Sequence, residues 1–312
     1  MYGNFTNNSS TFVPPSVVRL MGSGTQIIDG SSPTTFYNLI LNKQGSVQLN
    51  QDITATYALR LTSGSLNAGI SHVTLGPAAT LIETLNYRVT GWVETSRPVA
   101  SGARETFGSL GLALTRAAAS VEPGTVRVVR VTGTALAGTG SVANARSIQR
   151  YYDIIPANNA GLDMTMEFGY LDQELNGVPE NNLVLFRSTT GTGGPWQNRG
   201  FTSRDATANT VTLSGISAFS VWTLGNSAAP LPVELTDFTA VAQGPTAVRL
   251  AWHTASEQSS DYFAVERSPD GVAFAEVGRV AAAGTSTTPR TYGLLDATLR
   301  PQPACFTTAC GR

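Results

Sequence analysis

Charge is scarce in this chain. Only 13% of its 312 residues are Asp, Glu, Lys or Arg, and the formal net charge is −1. That removes the electrostatic case for nucleic acid or an anionic membrane surface as a partner. Lys43 is the single lysine and arginine supplies the remaining basic residues, a bias that suggests a GC-rich genome. Histidine occurs twice, at His72 and His253, and cysteine twice, at Cys305 and Cys310 in the closing stretch QPACFTTACGR. With no H-x-x-x-H pair and no cysteine partner, each histidine is read as a strand residue, and neither a metal nor another cofactor is expected. Long apolar runs are missing too: none approaches the roughly 18 residues of a membrane span. Residues 1–12 lack the basic start and apolar centre of a secretory signal, so the expectation is either a cytosolic chain or a true N-terminus that lies upstream.

Hydrophobic residues make up 41% of the chain. The apolar runs are short and interrupted about every eight to twelve residues by Gly, Pro or Asn, the punctuation of an all-β fold. From about residue 12 to 90 a loose unit of about twenty residues recurs as VVRLMGSGTQIIDG, FYNLILNKQGSVQL, ITATYALRLTSGSL and HVTLGPAATLIE. Such a repeat predicts a β-solenoid-like segment or irregular strand repeats over residues 1–94. Asn4, Asn7 and Asn8 each begin an N-x-S/T triplet and are read as polar loop residues.

Over 95–226 the runs TFGSLGLALT, TVRVVRVTG, SIQRYYDIIP, LDMTMEFGYL, NLVLFRS, PWQNRGF, NTVTLSG and FSVWTLG predict a β-sandwich. TRAAASVEP has helical propensity but is too short to be more than a connection. GNSAAPLP marks a boundary, with the linker at 227–232. Alternating runs then predict a second small sandwich over 233–298, in which Asp270-Gly271 is a tight-turn signal.

Candidate chemistry is thin. Asp172 and Glu174 in YLDQELNG are two apart at an expected strand end, so they should share a solvated face. TTGTGGPW (189–196) lacks the Gly-Lys-Ser/Thr ending of a phosphate-binding loop and reads as a turn. No G-x-S-x-G elbow occurs and no serine has an evident base. Trp196, Trp222, Tyr151 and Tyr152 offer an aromatic platform, with Trp196 and Trp222 the candidate glycan contacts. The alternating pattern of RYYDI and VWTL favours packing in a core instead.

LPVELTDFTA, VRLAWHTASEQ, FAVERSPDGVAFAEVGRVAAAGTS and RTYGLLDA together resemble the fibronectin type III-like module near the C-termini of secreted Bacteroidota proteins that use type IX secretion. The resemblance spans residues 231–297. FYNLILN with VQLNQDITATYALRLTSGSLNAG is similar to the strand-rich repeats of the same proteins, and RYYDIIP, MEFGYLDQELNG, NLVLFRS and FSVWTLG resemble the sandwich module between. The resemblance implies export, an extracellular or outer-surface location, engagement of the type IX secretion machinery in full-length relatives, and a non-catalytic role. It also implies that Trp252, Glu257, Phe263, Glu266, Arg267, Asp270 and Gly271 form a structural motif, in which Glu257 and Arg267 brace a loop and the adjacent strand through hydrogen bonds.

Family members continue past the last matching strand with a run like LLYYRLRQ, where this chain has ACFTTACGR. Back-translating Ala304–Gly311 and reading from the third base of the first codon allows Leu-Leu-Tyr-Tyr-Arg-Leu-Arg-Gln. Residues 299–312 are therefore read as a frameshifted tail that leaves the fibronectin-like sandwich incomplete, with a bare sheet edge. The competing reading is a real Cys305–Cys310 disulfide. The function expected from the sequence is a secreted or cell-surface structural or adhesive fragment without catalysis. The alternatives are the accessory C-terminal modules of a larger secreted hydrolase, or a module that binds surface glycan or matrix.

Overall fold

The computed structural model describes residues 1–139, 146–227, 235–255, 257–286, 288–297 and 305–311. The linker read at 227–232 lies outside these, Ser227 apart, as do residues 299–304. The described residues form strands and two short 3-10 turns, with no α-helix among them. They divide into two compact units, one reaching Ser227 and one from Leu235 on.

The first unit begins as a parallel stack, the β-solenoid-like arrangement anticipated from the repeat. β1 (Phe5–Thr6), β2 (Val17–Leu20), β3 (Gln26–Asp29), β4 (Thr34–Leu49), β5 (Ile53–Leu75), β6 (Thr80–Ile82) and β7 (Val89–Pro98) pair with one another in parallel. Val18 lies beside Leu39, Leu39 beside Leu59 and Leu59 beside Leu81, while Val47 lies beside Leu66 and Leu66 beside Val89. Every residue of these ladders is buried. The twenty-residue repeat stacks this way because a single rung cannot cover its own apolar face.

The rungs touch closely at their corners. Gly45 has φ +124°, and a Cβ there would sit 2.4 Å from the Gly24 carbonyl oxygen of the preceding rung. Beside it the buried Lys43 donates to the carbonyls of Gly24 and Ser46, and burial lowers its pKa. At the first rung, Asn4 Oδ1 accepts from the Ile27 N–H and Asn8 Oδ1 from the Ser31 N–H, each at 3.0 Å. Asn7, which is buried, donates to Thr34 Oγ1 at 3.0 Å. Read in the sequence as simple polar loop residues, these asparagines instead tie the leading segment to the rungs.

On its far edge β7 pairs antiparallel with β10, and the sheet continues without a break. After β8 (Arg104–Glu105) and β9 (Leu112–Arg116) come β10 (Thr125–Thr132), β11 (Arg150–Pro156), β12 (Met164–Gly169), β13 (Leu183–Ser188), β14 (Gln197–Gly200), β15 (Ser203–Asp205), β16 (Thr210–Ile216) and β17 (Val221–Asn226). One sheet runs β1-β3-β4-β5-β7-β10-β11-β17-β13-β14, and a second, β15-β16-β12-β9-β8, forms the other layer of the sandwich. Tyr152 and Phe168 meet edge-on between the layers at 4.8 Å. A single buried cluster takes in solenoid and sandwich residues alike, Leu59 and Val93 with Tyr152 and Met166. The division read at 94/95 therefore falls inside β7, where neither sheet nor core is interrupted. Of the run TFGSLGLALT only the second half is strand; Phe107 and Ser109 take φ values of +52° and +67° in a turn.

The second unit is a small sandwich. β18 (Leu235–Ala242), β19 (Val248–Thr254) and β22 (Arg290–Asp296) make one sheet; β20 (Glu257–Ser268), β21 (Ala275–Ser286) and β23 (Cys305–Gly311) make the other. Leu250 and Trp252 from the first sheet pack on Phe263 and Val265 from the second. Residues 305–311, read in the sequence as noise beyond the last strand, pair along β20 from Ser268↔Cys305 to Tyr262↔Gly311. The bare β20 edge expected from a truncated module is thus occupied; backbone pairing is indifferent to side-chain identity and leaves the reading frame open. It does bear on the disulfide: five residues of extended strand separate two Cα atoms by about 16 Å, beyond the roughly 7 Å a disulfide spans.

Two outcomes follow. Gly45→Ala should lower the urea midpoint of the first unit, at a cost of about 1–3 kcal/mol for a strained, clashing residue, whereas Gly24→Ala, which meets nothing within 4 Å, should cost less. Thiol titration of the denatured, unreduced chain should find both cysteines reactive; blocked thiols in a monomeric chain would contradict the β23 pairing.

Candidate functional site

The strongest electrostatic feature is buried where the solenoid meets the sandwich. In TVRVVRVT the strand alternation that points Val126 and Val128 inward also points Arg130 inward, and in RYYDIIP it does the same for Arg150 beside Tyr152 and Ile154. Arg130 is 1% exposed and holds Glu83 with two hydrogen bonds, Nη1 to Oε2 at 2.7 Å and Nη2 to Oε1 at 2.8 Å. Arg150 Nε lies 2.8 Å from Glu174 Oε2, Nη2 donates to Glu174 Oε1 at 2.9 Å, and Nη1 donates to Tyr152 Oη at 3.1 Å. Tyr152 Oη in turn donates to the Leu110 carbonyl at 2.8 Å.

Burial opposes the ionisation of Glu83. The Arg130 charge and hydrogen bonds, with the Val89 N–H, outweigh it and hold the carboxyl below its usual range. Burial raises the Tyr152 hydroxyl against the opposing pull of Arg150 and Arg130. Each charge in the group faces its opposite at close range, an arrangement that braces the structure, although the buried Arg130 Nε and Arg150 Nε make no hydrogen bond among the described residues. The sequence reading passed over Glu83, Arg130 and Arg150, although the alternation of two Val-rich strands was the signal that placed both arginines inside.

Glu174 and Asp172 do not share a solvated face. They lie on a one-turn 3-10 segment, Asp172–Glu174, whose tight winding buries Glu174 on Arg150 and leaves Asp172 outside, where it accepts from Asn209 at 2.5 Å. His72 stacks on Trp92 at 4.5 Å, and Trp92 Nε1 donates to Glu94 at 2.8 Å. His253 is half exposed on β19, 3.5 Å from Asp237. Among the described residues no three His, Cys, Asp or Glu side chains converge on one point.

The proposed glycan contacts are not surface groups. Trp196 is 5% and Trp222 1% exposed, so neither presents a ring face that a sugar could stack on. Trp222 packs in the main core against Phe219, and Tyr152 is wholly buried with it. β17 lies inside its sheet and is buried on both faces from Val221 to Gly225, which encloses Trp222, while in RYYDI the alternation turns Tyr152 inward and leaves Tyr151 partly exposed.

In the second unit, Glu257 is buried and accepts from Thr254 Oγ1 at 2.7 Å, Tyr292 Oη at 2.6 Å and the Ala283 N–H at 2.8 Å. It thereby joins β19 and β22 of one sheet to β21 of the other. Burial and Glu257 push the Tyr292 hydroxyl up to about 12. Arg267 reaches across to Asp296 at 2.6 Å. Trp252 stacks on Tyr292 at 5.9 Å and meets Phe263 edge-on at 5.5 Å. Asp270 Oδ1 accepts from the Val272 and Ala273 N–H groups, which with Ser268 hold its carboxyl down at about 2, and Gly271 takes φ +75° in the same turn. Glu266 is partly exposed and lies opposite Glu276 in the β20–β21 pairing.

Because Glu83 has a depressed folded pKa, its contribution to stability should be complete above the ordinary carboxylate range and should disappear as pH falls through the folded value. Glu83→Gln leaves Arg130 buried without its countercharge and should cost about 3–5 kcal/mol near neutrality. Urea midpoints of the two proteins between pH 7 and pH 2 should converge in acid; parallel curves would show that the pair contributes nothing. Comparison of the chain with family models, curated proteins and solved structures finds no match.

Proposed function

We propose that this chain is a non-catalytic structural or adhesive piece of an exported, surface-located protein, and that residues 231–297 are a fibronectin type III-like module of the kind carried by type IX secretion substrates. The observation that carries the reading is the unbroken sheet from the first rung through β7 into the sandwich. A stack of rungs ending in a sandwich strand, with no gap in hydrogen bonding or core, is built to transmit load along its length. The partly buried Glu83 and the buried Glu174, Glu257 and Asp296 are all engaged by arginine, hydroxyl or backbone donors, an arrangement that fixes geometry. The sequence motif of the second unit adds the export reading, which rests on resemblance.

The test is made in the source organism. Brief protease treatment of intact cells, followed by immunoblotting of the cell and medium fractions, should show the protein removed from the surface or already in the medium. Protection until the cells are lysed would overturn the surface reading. The purified full chain should show no turnover on a panel of glycoside, ester and peptide substrates; turnover abolished by one substitution would overturn the non-catalytic reading.

A further inference from the structure

The stretch LVLFRSTTGTGGPWQNRGFTSR (183–204) carries Arg187, Arg199 and Arg204 and no aspartate or glutamate, in a chain of net charge −1. It folds as β13, the loop after it and β14, the outermost strand of the long sheet, and runs on into β15. Arg187 is fixed in place: its Cζ lies 5.7 Å from the centroid of the Trp222 ring, Nε donates to Ser220 Oγ at 2.8 Å, and Nη2 donates to the Phe219 carbonyl at 3.3 Å. All of these partners are neutral. Burial, and then the neighbouring Arg199, push the Arg187 pKa down, so the charge that Arg187 feels is another cation.

β14 brings that cation in, since Gln197 pairs with Arg187 and Gly200 with Leu185. Arg204 lies over the Phe201 ring at 4.0 Å and donates to the Leu183 carbonyl at 3.0 Å, again without a carboxylate. Trp222 Nε1, in the ring under Arg187, is a buried donor with no acceptor among the described residues, as are the indole N–H groups of Trp196 and Trp252. A half-buried guanidinium beside a second one, next to an unsatisfied N–H, is unfavourable in isolation and is relieved by an oxyanion, for which guanidinium is the matching planar donor.

We propose that Arg187 and Arg199 on the open β13–β14 edge, with Arg204 on β15 of the facing sheet, where it bonds the Leu183 carbonyl, bind the carboxylate or sulfate groups of an acidic polysaccharide. The ligand class rests on the adhesive reading above; the site itself rests on the unneutralised arginines. A nucleic acid is disfavoured, since proteins that hold duplex DNA commonly neutralise about six to ten phosphates and only three cations are gathered here.

The test uses the full chain in affinity electrophoresis through dextran sulfate, polygalacturonate, neutral dextran or duplex DNA at low salt, with tryptophan fluorescence as a second readout. One or both acidic polysaccharides should retard the protein, neutral dextran should not, and added salt should release it. Arg199→Gln, an exposed change that leaves the Trp222 packing intact, should weaken binding about tenfold, the loss expected for one charge-assisted contact; Arg204→Gln should weaken it in the same direction. Retention unchanged in both variants, equal retardation by neutral dextran, or tighter binding to DNA than to either acidic polysaccharide would each overturn the proposal. Shortening of the polysaccharide, read by gel filtration, would instead overturn the non-catalytic reading and leave the binding site standing.

Discussion

Two guanidinium groups inside an apolar core are the constraint on which the first unit depends. Arg130 and Arg150 point inward because strand alternation gives them no other direction, and an unpaired charge at that depth would be prohibitive. Arg150 finds its countercharge within the sandwich, from Glu174. Arg130 finds Glu83 just past the end of β6, in the solenoid. The sandwich therefore cannot close its core without the last rung in position. Such a pair adds little net stability over a well-packed apolar substitute, whereas removing one partner strands the other charge in the core.

The same junction solves the problem that every solenoid has at its ends, where a rung exposes unpaired backbone and apolar side chains. Here β10 covers the last rung directly, and the switch from parallel to antiparallel pairing takes place across β7. The turn over residues 106–111 fits against this junction. Leu81 N–H donates to the Gly108 carbonyl, and the Leu110 carbonyl receives Tyr152 Oη. Left-handed conformations at Phe107 and Ser109 are unfavourable for residues with a side chain. They persist because the packed, fully buried Phe107 and the Leu110 carbonyl are both fixed by the surrounding structure.

The second unit meets a different demand with a similar device. Its core is small, so two polar ties supplement it: Glu257 collects donors from both sheets, and Arg267 of one sheet reaches Asp296 of the other. The Glu257 tie borders Trp252 through Tyr292, and the Trp252 ring contacts Phe238, Phe263 and Tyr292. Of the motif residues named from the sequence, Phe263 meets this ring and Glu257 bonds the Tyr292 stacked on it, whereas Asp270 and Gly271 lie away from it in the turn after β20.

Periodicity determined much by itself. A twenty-residue repeat could be read as stacked rungs because equivalent leucines must recur at each turn of the stack. The strands of the sandwich could be read from runs such as TVRVVRVT because a pleated strand alternates its faces with a fixed period of two. Inward-facing Arg130 and Arg150 were implicit in that alternation. The pairing partners were not, because which carboxylate meets Arg130 depends on a contact between residues 83 and 130, far apart in the chain. The tertiary structure alone decided that the solenoid rungs and the sandwich strands up to β17 share one core, that a 3-10 turn sends Glu174 inward and Asp172 outward, and that Cys305–Gly311 lies along β20. It also decided that Trp196 and Trp222 are buried, since a flat aromatic ring has the same sequence signature on a surface platform as in a core, and only the packing around it distinguishes the two.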